Sequence, residues 1–113
     1  MVSAITTHVL DTAGGRPARG VPVRLEAIDS EGNVSTLAEA VTNDDGRVPE
    51  LGPAEIEAGT FRLTFDTASY FEATSQPTFF PEVALTFRVE DPSQHYHVPV
   101  LLSPFALSTY RGS

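Results

Sequence analysis

Apolar side chains recur at every second position in short runs, and each run is soon cut by Gly, Pro, Asn or Asp. A period of two puts one face of an extended chain in a core and the other towards water, so the pattern calls for strands joined by tight turns. Ile5, Thr7 and Val9 alternate with Thr6, His8 and Leu10, and the run ends in the segment from Gly14 to Gly20. Val21, Val23, Leu25 and Ala27 share one face of a second strand. Asp29-Ser30-Glu31-Gly32-Asn33 then turns the chain into a third strand, from about Val34 to Val41. Asn43-Asp44-Asp45-Gly46 is the next turn.

Between Val48 and Ala58 two prolines and scattered acidic residues leave no clear period, so a short strand at most is expected there. Phe61, Leu63 and Phe65 restore the alternation. The segment Asp66 to Ala73 differs: Asp66 or Thr67 can cap the orphan N–H groups of a short helix of two turns. Val83, Leu85, Phe87 and Val89 form the clearest alternating run, after a loop held extended by Pro77 and Pro81. Two final strands are expected from about Gln94 to Leu102 and from Phe105 to Tyr110. The reading is an all-β, two-sheet sandwich of seven or eight strands with one short helix.

The 113 residues, with no repeat or linker, make a single domain over 1–113. A chain of this size can bury about two-thirds of its surface without covalent staples. It has no cysteine, which removes disulfides, thiolate metal sites and a cysteine nucleophile. Fifteen acidic residues face seven basic ones, all Arg, for a formal net charge of -8. That balance argues against binding a phosphate backbone, and the lack of Lys removes Schiff-base chemistry. The N-terminal stretch shows no basic segment followed by an apolar run, and nothing approaches the ~18 apolar residues of a membrane span. A cytoplasmic protein without nucleic-acid or membrane partners is expected.

The three histidines, His8, His95 and His97, are the main candidates for proton transfer near neutrality. His95 and His97, two apart on a strand, point to one face. With His8 they could supply the three nitrogens of a catalytic zinc, they could do acid–base work, or they could be solvated and locally bonded. Arg47, at the exit of the Asn43 turn, could hold a planar oxygen-bearing partner through two hydrogen bonds, or pair with Asp44 or Asp45. Tyr110, Arg111 and Ser113 matter only if something holds the chain end in place.

These residues fall into a recognisable set. Thr6-Thr7-His8-Val9-Leu10-Asp11, Thr42-Asn43-Asp44-Asp45-Gly46-Arg47-Val48, Thr78-Phe79-Phe80-Pro81-Glu82-Val83, His95-Tyr96-His97-Val98-Pro99, Leu101-Leu102-Ser103-Pro104 and Ser108-Thr109-Tyr110-Arg111-Gly112-Ser113 resemble the 5-hydroxyisourate hydrolases, the transthyretin-related enzymes of urate breakdown. The resemblance covers nearly the whole chain in order, and the terminal Tyr-Arg-Gly-Ser separates it from transthyretin proper. Ala106-Leu107 departs from the small-aromatic pair expected before Ser108.

The resemblance implies a prealbumin/transthyretin-like sandwich, paired through edge strands into dimers and then into a homotetramer with sites in the channel between dimers. It implies a purine-catabolic hydrolase that opens 5-hydroxyisourate at a cyclic amide, giving 2-oxo-4-hydroxy-4-carboxy-5-ureidoimidazoline, with no metal and no cofactor. Carried over position by position, it implies catalytic roles for His8, Arg47, His97 and Ser113, and substrate contacts from His8, Arg47, Tyr110 and Arg111. His97 or His8 would take the proton from water while the other orients the ring or protonates the leaving nitrogen. Arg47 would hold the developing oxyanion. A ligand carrier of the transthyretin kind is the rival reading, and the polar set His8, Arg47 and His97 speaks against it.

Overall fold

The computed structural model describes residues 3–113 and contains eight strands and one helix. In chain order these are β1 (Ile5–Asp11), β2 (Arg16–Pro17), β3 (Pro22–Ile28), β4 (Val34–Val41), β5 (Gly59–Phe65), α1 (Thr67–Ala73), β6 (Val83–Val89), β7 (Tyr96–Ser103) and β8 (Ala106–Thr109). They form two four-stranded sheets, ordered β2-β1-β7-β8 and β4-β3-β5-β6. This is the expected all-β sandwich, and the strands match the alternating runs. The two-residue β2 lies inside the expected loop, where it pairs with the end of β1.

Alternation explains the core. In β1 the residues Ile5, Thr7, Val9 and Asp11 are buried, while Thr6, His8 and Leu10 are half-buried on the other face. Val23 and Leu25 of β3, Phe61, Leu63 and Phe65 of β5, and Val100 and Leu102 of β7 fill the space between the sheets. The register of β3 against β4 shifts between Leu25 and Glu26, with Leu37 as the extra residue of β4. Glu26 stays on the outer face of its sheet, buried beside its register partner Arg62, whose Nε meets its carboxylate at 3.0 Å.

The helix begins as its cap predicts: the Asp66 carboxylate accepts from Ser69 N at 3.0 Å and from Ser69 Oγ at 2.7 Å. It buries Tyr70 and Phe71, and the Tyr70 hydroxyl donates to the buried Asp11 carboxylate at 2.6 Å. The helix is thereby tied to the end of β1.

The short strand allowed between Val48 and Ala58 does not form. Pro49 and Pro53 cannot donate to a ladder, and the segment runs as a loop that tucks Val48 and Leu51 into the core. The Ser3 hydroxyl accepts from Leu51 N and donates to Gly52 O, replacing the missing ladder bonds. Just ahead of this segment a single bridge joins Arg47 to His8, on the edge of β1 that β2 pairs further along.

Most neighbouring strands are antiparallel, but β1 and β7 run parallel, with Thr6 opposite His97 and His8 opposite Pro99. A parallel pair needs a long crossover, and here the whole second sheet supplies it.

Candidate active site

The outer face of the β2-β1-β7-β8 sheet collects the polar residues. Register partners share a face, so Thr6 and His8 of β1 lie beside His97 and Pro99 of β7. On the other side of β7, Leu101 is opposite Ser108, and beyond β8 an isolated bridge pairs His97 with Gly112. The chain end is therefore held: Gly112 N donates to His97 O at 2.8 Å.

Arg47 reaches this face through its turn. The Asn43 side-chain oxygen accepts from Asp45 N at 2.9 Å and Arg47 N at 3.1 Å, while Asn43 N donates to Arg47 O at 2.8 Å. Gly46 has φ +74, and a Cβ there would lie 2.2 Å from Val9 O, so the turn closes on β1 only with glycine. The outcome is that Arg47 bridges His8 with an exposed guanidinium. Its alternative partner, Asp44, is taken by Arg19 at 2.9 Å, and among the described residues Arg47 makes no ion pair.

The imidazoles are linked by a residue that the sequence did not single out. Thr6 Oγ1 lies 2.8 Å from His97 Nδ1 and 2.8 Å from His95 Nε2. The signal was available only through strand register, because Thr6 and His97 are 91 residues apart. His97 is half-buried, and its basicity is lowered from the ordinary 6.5, first by burial and then by the positive fields of Arg47, His8 and His95. Its neutral form is thereby favoured, and Nε2 is free of hydrogen bonds among the described residues.

The remaining expected residues are more spread out. Tyr110 is 60% exposed. Arg111 lines a cavity with His97 and Tyr110, its guanidinium 4.5 Å over the Tyr96 ring and its Nη2 donating to Gln94 Oε1 at 2.8 Å. Ser113 is exposed one residue beyond the Gly112 bridge. Leu107, part of the departing pair, packs against the core opposite Leu102, while Ala106 is exposed. Among the described residues no three His, Asp or Glu side chains converge to hold a metal, so His8, His95 and His97 do not form the zinc set that their spacing allowed. No helix among the described residues is long and apolar enough to cross a membrane.

The arrangement offers a neutral imidazole with one free nitrogen, a second imidazole, and an uncommitted guanidinium on one open sheet face. That is a set for activating water and holding an oxyanion. Residues 5–112 match the HIUase/Transthyretin family. The chain is 46% identical over 114 residues to a 5-hydroxyisourate hydrolase of Deinococcus radiodurans, covering 96% of this chain and 95% of that one. The solved 5-hydroxyisourate hydrolase of Klebsiella pneumoniae superposes with a TM-score of 0.84 at 38% identity, covering 96% of this chain and 98% of that one. Sea bream transthyretin, solved with thyroxine, superposes with a TM-score of 0.90 at 26% identity, covering 96% and 94%.

Proposed function

The chain belongs to the HIUase/Transthyretin family, and we propose that it hydrolyses 5-hydroxyisourate to 2-oxo-4-hydroxy-4-carboxy-5-ureidoimidazoline. The observation that carries this reading is the His97 imidazole: half-buried, tied at Nδ1 to Thr6, and kept neutral beside Arg47 and His8. A base must be unprotonated to act, and the surroundings of His97 favour that form.

In the reaction His97 Nε2 takes a proton from water as the oxygen attacks the cyclic amide carbon. The new C–O bond forms, charge gathers on the carbonyl oxygen, and Arg47 binds that oxygen through its N–H fork. The C–N bond then breaks and the leaving nitrogen takes a proton, with His8 orienting the ring or supplying that proton. Water is consumed, one carboxylate appears, and no metal or cofactor enters the balance. Tyr110, Arg111 and Ser113 complete the pocket by hydrogen bonds.

An open face excludes water poorly, so the pocket is proposed to close between copies of the chain. The edge strands β6 and β8 carry unpaired backbone groups suited to dimer formation, and two dimers facing each other through the site sheet make a homotetramer.

The test is an ultraviolet time course in which urate and a urate oxidase generate 5-hydroxyisourate and the protein is then added. Decay that accelerates in proportion to protein, and that persists after chelation, is expected. Decay at the spontaneous rate with folded protein would overturn the reading and bring the carrier role forward.

A further inference from the structure

We infer that Thr6 is a positioning residue that decides which imidazole nitrogen of His97 carries the proton, with His95 setting the direction of the Thr6 hydroxyl. The inference deepens the hydrolase reading above and rests on His97 being its base.

The argument starts from valence. A hydroxyl has one proton to donate and two lone pairs, yet Thr6 Oγ1 stands at 2.8 Å from a ring nitrogen of each of two histidines. When His95 is neutral with Nε2 bare, the hydroxyl donates to it and accepts the Nδ1–H of His97. That leaves the Nε2 lone pair of His97 free to take a proton from water. When His95 is protonated, its Nε2–H must donate, and the hydroxyl's own proton, no longer held by His95, is free to turn towards His97 Nδ1. The proton of neutral His97 then sits on Nε2, and the base is off.

Three features make the device workable. The Thr6 side chain is β-branched and stiff, and it faces its register partner His97 across the parallel pair. The adjacent Thr7 hydroxyl points the other way, donating to Val98 O at 2.7 Å, so the strand offers these imidazoles one hydroxyl. His95 is exposed, whereas His97 is half-buried.

The charged groups around His97 are His8 from β1, Arg47 from the Asn43 turn and His95 from its own segment, and none of its leading influences is a carboxylate. From the chain end, Arg111 is engaged with Tyr96 and Gln94. His95 is therefore the exposed group hydrogen-bonded to the same hydroxyl as His97.

The experiment is long-range proton–nitrogen NMR of the imidazoles in uniformly labelled protein across pH 5 to 9, beside kcat and KM on enzymatically generated 5-hydroxyisourate. The parent is expected to hold Nδ1–H at His97 in the alkaline range and to convert towards Nε2–H as pH falls. Thr6→Val abolishes that step and lowers kcat by about tenfold with little change in KM, and Thr6→Ser restores both. His95→Gln carries no titrating proton and can accept from Thr6 through its amide oxygen, so it is expected to keep Nδ1–H at His97 across the pH range. Parent-like tautomers and pH profile in Thr6→Val, or a parent-like tautomer switch in His95→Gln, overturn the inference. Absence of hydrolysis by the parent instead overturns the hydrolase reading, while the tautomer spectra still judge the role of Thr6.

Discussion

Gly112 N donates to His97 O at 2.8 Å, and the imidazole lies so close that a Cβ on Gly112 would stand 2.6 Å from His97 Cδ2. The chain end and the proposed base are one unit. Gly112→Ala is therefore expected to push the ring from Thr6 and lower kcat by about tenfold, since a small displacement of a catalytic group has a large effect on rate. Thermal unfolding should shift by only a few degrees, because the affected segment is exposed. Parent turnover in the variant would show that the ring tolerates the shift.

Arg47→Ala and His97→Asn are each expected to lower kcat/KM by about a hundredfold or more, in line with the loss of an oxyanion donor or a general base. Circular dichroism and sedimentation should match the parent. Either variant retaining parent activity would remove that residue from the mechanism.

Arg47 also sets the pH response. His97 is held below the ordinary 6.5 by burial and then by Arg47, so the parent should lose activity only as pH falls below that value. Neutralising the arginine in Arg47→Ala raises the His97 pKa, and the acid limb of the residual activity should move to higher pH. An unmoved limb would mean that Arg47 exerts no field on the base.

Tyr70 and Asp11 make a stability prediction. Burial alone would raise the Asp11 pKa, but hydrogen bonds from Tyr70, Gly14 and Ala13, with help from Arg16, outweigh it and leave it lowered from 3.8. Tyr70 is pushed up to about 12, by burial and then by its bond to Asp11. A depressed acid contributes stability above its unfolded pKa and loses it as pH falls through the folded value. A raised phenol contributes below its unfolded value near 10 and loses it as pH rises through about 12. The pair should thus hold from about pH 4 to 10. Tyr70→Phe is expected to cost about 1–3 kcal/mol by leaving the buried carboxylate short of a partner. Urea titrations at several pH values measure it, and no loss at neutral pH would refute it.

Gly46→Ala tests the turn that presents Arg47. With φ +74 and a Cβ falling 2.2 Å from Val9 O, the variant must move backbone, at a cost of about 2 kcal/mol or more. Activity should fall along with stability, as the turn no longer closes on β1. A parent-like melting temperature would contradict this account.

Much of the fold was legible in residue order because its signals are local. Alternation in Ile5–Asp11, Gly59–Phe65 and Val83–Val89 marks strands by the geometry of an extended chain, and Asp66 marks a helix start by satisfying its own neighbours' N–H groups. The three histidines were also nameable, since few other side chains here move a proton near neutrality, whereas Arg47 was singled out among seven arginines by the resemblance to the hydrolases.

What the sequence could not decide depended on partners far along the chain. Alternation says which residues share a face, but only packing of the two sheets sets β1 parallel to β7 in the register that joins Thr6 to His97. The same packing leaves Val48–Ala58 as a loop, sends Asp44 to Arg19, and leaves Arg47 free beside His8. Local pattern determined the strands and the chemistry on offer; long-range register decided which of those groups meet, because a one-residue slip would have turned each of them to the other face.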